Sequence, residues 1–175
     1  MKQPLRTDGR SAGAVVGQQY AALPWRDQGE LEILLVTSRE TRRWVIPKGW
    51  PMKNKKPHAA AAREAMEEAG VTGRVVKRPI GAYSYIKRLK NGAPLQCWVD
   101  VFPLKVTGQL NRWPEQGERT GHWFPVEEAA EAVEEPELQA LIRAFAEHVA
   151  ADAARKKGKK AAVEAVSAPA AEPQG

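Results

Sequence analysis

GWPMKNKKPHAAAAREAMEEAGV, residues 49–71, contains the segment whose reading decides the fold. Pro57 suits a first helical turn, the run Ala59 to Ala62 is made of strong helix formers, and Gly70 suits a C-terminal cap, so the spacing predicts a helix over 57–69. At about 100° per residue, positions i, i+3 and i+4 are neighbours, which puts Glu64, Glu67 and Glu68 on one face. Like charges so placed disfavour the helix by a few tenths of a kcal/mol per pair, roughly, and ask for a positive partner. Arg63 is one turn from Glu67 and can pair with it, but one guanidinium does not neutralise three carboxylates. A hard divalent cation does, because Mg²⁺ favours oxygen ligands and is held by carboxylates together with substrate phosphates. The loop before the helix, Pro47-Lys48-Gly49-Trp50-Pro51, fits that purpose. Gly49 lets the backbone approach a metal or phosphate closely, and Lys48 supplies a point charge for an anion.

Strand signals lie on either side. SAGAVVGQQYAAL (11–23) and LEILLVTSR (31–39) read as strands, the second a continuous aliphatic run typical of a buried one, and WVIP (44–47) as a very short third. After the helix, GRVVKRPIGAYSYIKR (73–88) and LQCWVDVFPLKV (95–106) read as two longer strands that pair through the turn signal Asn91-Gly92. GHWFPVEEAAEAV (121–133) gives a strand end and a short helix. Pro136 opens a final helix on which Leu138, Leu141, Ile142, Phe145 and Val149 recur at helical spacing, so it packs on the sheet. Strands and helices mix without the regular alternation of a doubly wound sheet, which predicts α+β or a mixed α/β sandwich.

At 175 residues the chain suits one domain with a proper core. The division expected is a flexible N-terminus over 1–10, a domain over 11–153, and a disordered tail over 154–175, where lysine, alanine and proline occur without periodic apolar residues. The single cysteine, Cys97, leaves no internal disulfide, the opening MKQPLRTDGR has no apolar stretch of the secretory kind, and the longest aliphatic run is Ile33 to Val36; a cytoplasmic protein without a membrane partner is the expectation. The formal net charge of +6 is carried partly by ARKKGKK (154–160) in the tail, so charge alone does not imply a duplex. Within the domain Arg39, Arg42, Arg43, Lys48, Lys53, Lys55 and Lys56 cluster around the helix, with Lys87, Arg88 and Lys90 further on, as a small polyanion would require.

Gly49, Arg63, Glu64, Glu67, Glu68, Gly70 and Val71 together resemble the Nudix box, G-x5-E-x7-R-E-U-x-E-E-x-G-U with U a bulky aliphatic, in order and in spacing. Two specified positions depart: Lys55 stands where that family has glutamate, and Ala65 where it has a larger aliphatic. The resemblance implies an α/β/α sandwich with a mixed sheet and a loop-helix-loop catalytic motif over approximately residues 10 to 150. It implies Mg²⁺ or Mn²⁺ held by Glu64, Glu67 and Glu68 with the Gly49 carbonyl, Arg63 orienting the carboxylates, and hydrolysis of a diphosphate linkage. Glu64, Glu67 and Arg63 are then the catalytic candidates, and Glu115 and Glu118, in the loop WPEQGERTGHWF, are candidates for a further base or ligand.

WVIPKG, AAAREAMEEAGV and the later WF with PVEEA look most like the diphosphoinositol polyphosphate and diadenosine polyphosphate hydrolases of that family. Arg39, Arg42, Arg43, Lys48 and Lys55 are the substrate-binding candidates, suited to a small, many-phosphate ligand. Two other readings stay open: removal of a 5′ pyrophosphate from RNA, and a catalytically weak sensor of a phosphorylated metabolite, suggested by Lys55 in the glutamate position.

Overall fold

The computed structural model describes residues 5–7 and 15–167. Its spine is two long strands, β2 (Val15–Asp27) and β8 (Pro94–Gln109), which run parallel with Gly17 opposite Cys97 and Trp25 opposite Lys105. The remaining strands are added antiparallel: β1 (Leu5–Thr7) on β2, β3 (Leu31–Thr37) on β2, β4 (Trp44–Val45) and β9 (Gly121–Pro125) on β3, β5 (Lys48–Gly49) on β2, and β6 (Val71–Val75) and β7 (Gly81–Arg88) on β8. The sheet is therefore mixed.

Both of its faces are covered, which is why β3 reads as unbroken aliphatics and not as an alternation. On one face Ala22, Leu34, Val36, Phe102 and Leu104 meet Ala61, Ala65 and Ala69 of α1 (Pro57–Ala69). On the other, Leu23, Ile33, Leu35, Val99 and Val101 meet α2 (Val126–Ala132) and the start of α3 (Pro136–Ser167), where Leu138, Ile142 and Phe145 are buried. Phe145 meets Trp25 edge-on at 5.6 Å between ring centroids, a favoured aromatic geometry. This is the α/β/α sandwich expected from the sequence. Ala65 is fully buried against the sheet, so the small residue at that box position sets a close helix-to-sheet approach.

Three boundaries differ from the sequence reading. The stretch 73–88 is two strands, not one: β6 pairs with the C-terminal half of β8 and β7 with its N-terminal half, and the chain steps between them around Pro79, which has no N–H for a ladder. At the N-terminus, β1 gives Leu5–Thr7 a place in the sheet where a flexible segment was expected, while residues 1–4 and 8–14 lie outside the described ones. At the other end α3 runs on to Ser167, so 154–167 are helical although every residue there is exposed, and 168–175 lie outside the described residues. Alanine and lysine are good helix formers, and a helix already nucleated by a packed first half extends at little cost. No helix among the described residues is long and apolar enough to cross a membrane.

Candidate active site

Helix α1 starts at Pro57 without a side-chain cap and ends at Gly70, whose φ of 68° is left-handed and whose amide donates to the Met66 carbonyl at 3.0 Å. A side chain at Gly70 would also strike the Trp113 ring, so the position is closed twice. The helix lies beside the box loop because β5 is stitched to β2, Tyr20 opposite Gly49 and Ala21 opposite Lys48, and because the Ala22 amide donates to the Pro47 carbonyl at 3.0 Å. This seats Gly49 against the Glu64 carboxylate: a Cβ on Gly49 would overlap it. The glycine is required by that approach and not by a turn.

The three helix carboxylates go three ways. Glu67 accepts from Arg63 Nε at 2.8 Å, both side chains being substantially exposed. Glu68 is 6% exposed and engaged at both oxygens, Oε1 lying 3.2 Å from an Arg119 nitrogen and Oε2 accepting from the Lys48 amide at 3.3 Å. Glu64 is half-buried and has neither an ion pair nor a hydrogen bond among the described residues. Burial, then the neighbouring Glu67 and Glu115 charges, push the Glu64 carboxyl up to about 7. Burial also pushes Glu68 upward, against the opposing pull of Arg119 and Lys48. Among the described residues no three acidic, histidine or cysteine side chains stand close enough to form a ready-made metal site. Glu67 and Glu68 are thus each drawn to a basic partner, while Glu64 faces Gly49.

The loop before β9 completes this end of the site. The Glu115 amide donates to the Glu67 carbonyl at 3.0 Å, which docks the loop on the end of α1. Glu115 Oε1 receives Arg119 at 3.3 Å and lies 3.4 Å from Arg39, whereas Glu118 is mostly exposed and reaches Arg39 only at 4.0 Å. Of the two loop candidates, Glu115 is the one adjoining the helix carboxylates. Arg119 was not among the sequence candidates. Its signal was weak, one arginine in a polar loop, but it is 11% exposed and its other nitrogen donates to the Thr37 carbonyl at 3.2 Å.

Next to the carboxylates opens a cleft of about 410 Å³. Arg39, Arg43, Lys48, Lys87, Arg88 and Arg119 line it, against the carboxylates of Glu40 and Glu68 alone. Arg43 is held by Glu135 at 2.6 Å, and Lys48 Nζ lies 5.0 Å from the centre of the Tyr85 ring. Burial, helped by Arg43 and Lys87, brings Lys48 down to about 8. Of the predicted substrate residues, the structure gathers Arg39, Arg43 and Lys48 here. Arg42 instead directs a nitrogen to the Glu118 carbonyl at 3.4 Å, and Lys55 is exposed in the turn before α1, so neither lines the cleft. Lys87 and Arg88 do, brought in by β7 pairing with β8. Tyr85 hydroxyl donates to Gln19 at 2.6 Å and closes the floor.

A fold of this kind with an acidic helix seated on a glycine loop defines a class, and comparison with known proteins agrees. Residues 18–145 match the NUDIX domain model, and the chain belongs to that family. It is 34% identical over 119 residues to Nudix hydrolase 12, mitochondrial, of Arabidopsis thaliana, covering 66% of this chain and 59% of that protein. It is equally 34% identical over 120 residues to the diphosphoinositol polyphosphate phosphohydrolase 3-alpha of Mus musculus, covering 67% of this chain and 69% of the relative. Among solved structures it resembles the C. elegans Ap4A hydrolase, with a TM-score of 0.55 at 22% identity over 77% of this chain and 98% of that one, a likeness of fold.

Proposed function

We propose that this chain hydrolyses a diphosphate linkage in a polyphosphorylated nucleotide of the diadenosine polyphosphate type or in an inositol pyrophosphate, using Mg²⁺ or Mn²⁺. One observation carries the reading: Glu68, on the helix that also bears Glu64 and Glu67, lines a cleft where six cationic side chains outnumber two carboxylates. A many-phosphate anion fits the cations, and a hard divalent ion fits this end of α1, because its donors are carboxylate oxygens (Glu64, Glu67 and Glu68) and the Gly49 backbone, which suit Mg²⁺ and not a softer metal. The family and the named hydrolases among its relatives point the same way.

Such a cation, when bound, neutralises charge on the phosphates and makes a bound water more acidic. Glu64, Glu67 and Glu68 would hold it, with Gly49 admitting the close approach. Arg43, Lys48, Lys87 and Arg88 would hold the phosphates that are not transferred, Arg43 being steadied by Glu135. Arg63, one turn away on the same helix, would keep Glu67 aimed. Burial and the neighbouring carboxylates push the Glu64 carboxyl up to about 7, and a cation held there would favour its ionised form.

The test is release of phosphate or nucleotide from diadenosine polyphosphates, inositol pyrophosphates, nucleoside triphosphates and 5′-triphosphorylated RNA, with Mg²⁺, Mn²⁺ or chelator. Metal-dependent release from the first two classes is expected. Preference for RNA, falling steeply with salt, would move the assignment to 5′-pyrophosphate removal. Ligand binding without release from any of them would indicate a sensor.

A further inference from the structure

Helix α3 runs beyond the domain it packs on. Its buried side chains, Leu138, Ile142 and Phe145, belong to its first half, and Val149 packs partly on the same core. From Ala153 to Ser167 every residue is exposed, so this stretch projects as about 22 Å of solvated helix. Within it Arg155, Lys156, Lys157, Lys159 and Lys160 occupy five of six successive positions. Asp152 takes Arg155 at 2.7 Å and lies 3.8 Å from Lys156, while Lys157, Lys159 and Lys160 have no acidic partner among the described residues. Arg155 and Lys159, Lys156 and Lys160, and Lys157 and Lys160 stand at spacings where like charges disfavour a helix, and Gly158 in their midst is a weak helix former. The segment therefore carries a charge that a polyanion would relieve.

The arrangement of the cations selects the polyanion. At about 100° per residue they spread over an arc of about 200°, from Arg155 through Lys159, Lys156 and Lys160 to Lys157. A membrane surface meets one side of a helix and asks for a bulky apolar face opposite the charged one. The apolar residues larger than alanine in this stretch are Val163 and Val166, 66% and 88% exposed, and by the same spacing both fall inside the basic arc. A groove, in contrast, addresses both flanks of a helix at once: the major groove of B-form DNA is about 12 Å wide and admits an α-helix between its phosphate walls. The charge densities agree, five cations over about 9 Å of helix against one phosphate per about 1.7 Å of duplex. We infer that residues 155–160 form a docking arm that holds duplex DNA by its phosphates, apart from the catalytic cleft. Residues 153–167 contain no Asn or Gln to read base edges, and their one arginine is taken by Asp152, so the arm binds without sequence preference.

The test is fluorescence anisotropy of a labelled DNA duplex of arbitrary sequence with the full chain, in chelator, from about 50 to 200 mM salt. Wild type should bind, and roughly three to five phosphate contacts predict that affinity falls about 40- to 500-fold across that range. Changing all five cations together (Arg155→Gln, Lys156→Gln, Lys157→Gln, Lys159→Gln, Lys160→Gln) should weaken binding about tenfold or more at the lowest salt and flatten the salt dependence, with turnover kept. Glutamine is nearly as good a helix former as lysine, so the helix is retained. Lys87→Gln with Arg88→Gln, in the cleft, should bind the duplex within about twofold of wild type, since these cations lie outside the arm. An RNA duplex of the same sequence should bind more weakly, because the A-form major groove is too narrow for the helix. No binding by wild type at the lowest salt, equal binding by the five-glutamine variant, or an equal loss in the cleft variant would each overturn the inference. So would tighter binding to the RNA duplex or to phosphatidylserine vesicles.

Discussion

Glu64 and Glu68 stand one turn apart on the same helix, yet they occupy opposite electrostatic worlds. Glu68 lies under the 113–119 loop with both oxygens satisfied, and Glu64 faces the Gly49 backbone with neither satisfied among the described residues. The helix supplies the same chemistry twice, and the neighbouring loops decide its use. Where a loop brings an arginine, the carboxylate is ion-paired; where a loop brings a bare glycine, the carboxylate lies against backbone. The same division separates the acidic strip of α1 from the basic cleft beside it, one suited to a cation and the other to phosphates.

Removing the member that faces the glycine should have the largest effect. Glu64→Gln should lower turnover by about three orders of magnitude or more, with melting temperature kept, as expected where a carboxylate holds a catalytic cation. Steady-state kinetics with a parallel thermal melt checks it; retained turnover would equate the two carboxylates. Arg119→Gln attacks the ion-paired member, and should cost about 3 kcal/mol of stability by leaving a buried carboxylate unpaired, read by chemical denaturation. An intact stability would mean that Glu68 is not held as the geometry indicates.

The basic side responds more gently. Lys87→Ala or Arg43→Ala should raise KM about tenfold, more for ligands with more phosphates, as loss of a charge-assisted contact does, while Lys55→Ala should change it little. Equal effects at Lys55 and Lys87 would erase the boundary of the cleft.

How much of this could be read in advance depends on whether neighbours in sequence are neighbours in space. Helix α1, its Gly70 cap and the face bearing Glu64, Glu67 and Glu68 follow from local spacing, and so were legible. The two sheet faces were legible through the aliphatic runs. Arg119 and Glu68 are far apart in the chain and meet only because β9 pairs with β3, so nothing in the local pattern marked the arginine. Lys87 enters the cleft, and Lys55 stays out, for the same reason: strand pairing, not proximity to the box, decides which cations face inward. The helical extension to Ser167 escaped because its residues have no apolar periodicity, the very signal used to find α3.

A smaller effect concerns pH. Glu64 has a folded-state pKa pushed up to about 7 from an unfolded value of 4.5, so the folded state holds this proton more tightly. The stability it lends is full below about 4.5 and is lost as pH rises through about 7. In chelator, melting temperature of wild type should fall across that window relative to Glu64→Gln, and saturating Mg²⁺ should reduce the difference. The smallest effect is expected at the far end of the molecule: removing residues 154–175 should leave turnover unchanged and shift stability by less than about 0.5 kcal/mol, since the described part of that segment is wholly exposed.

The account's central claim is that Glu64 receives the cation that ties a polyphosphate into the basic cleft. It is tested most directly by calorimetric binding of a non-hydrolysable diadenosine polyphosphate to wild type and Glu64→Gln, with Mg²⁺ and with chelator. The account predicts that Mg²⁺ tightens binding to wild type and that Glu64→Gln abolishes this gain while keeping the metal-free affinity. An equal gain from Mg²⁺ in both proteins would contradict it.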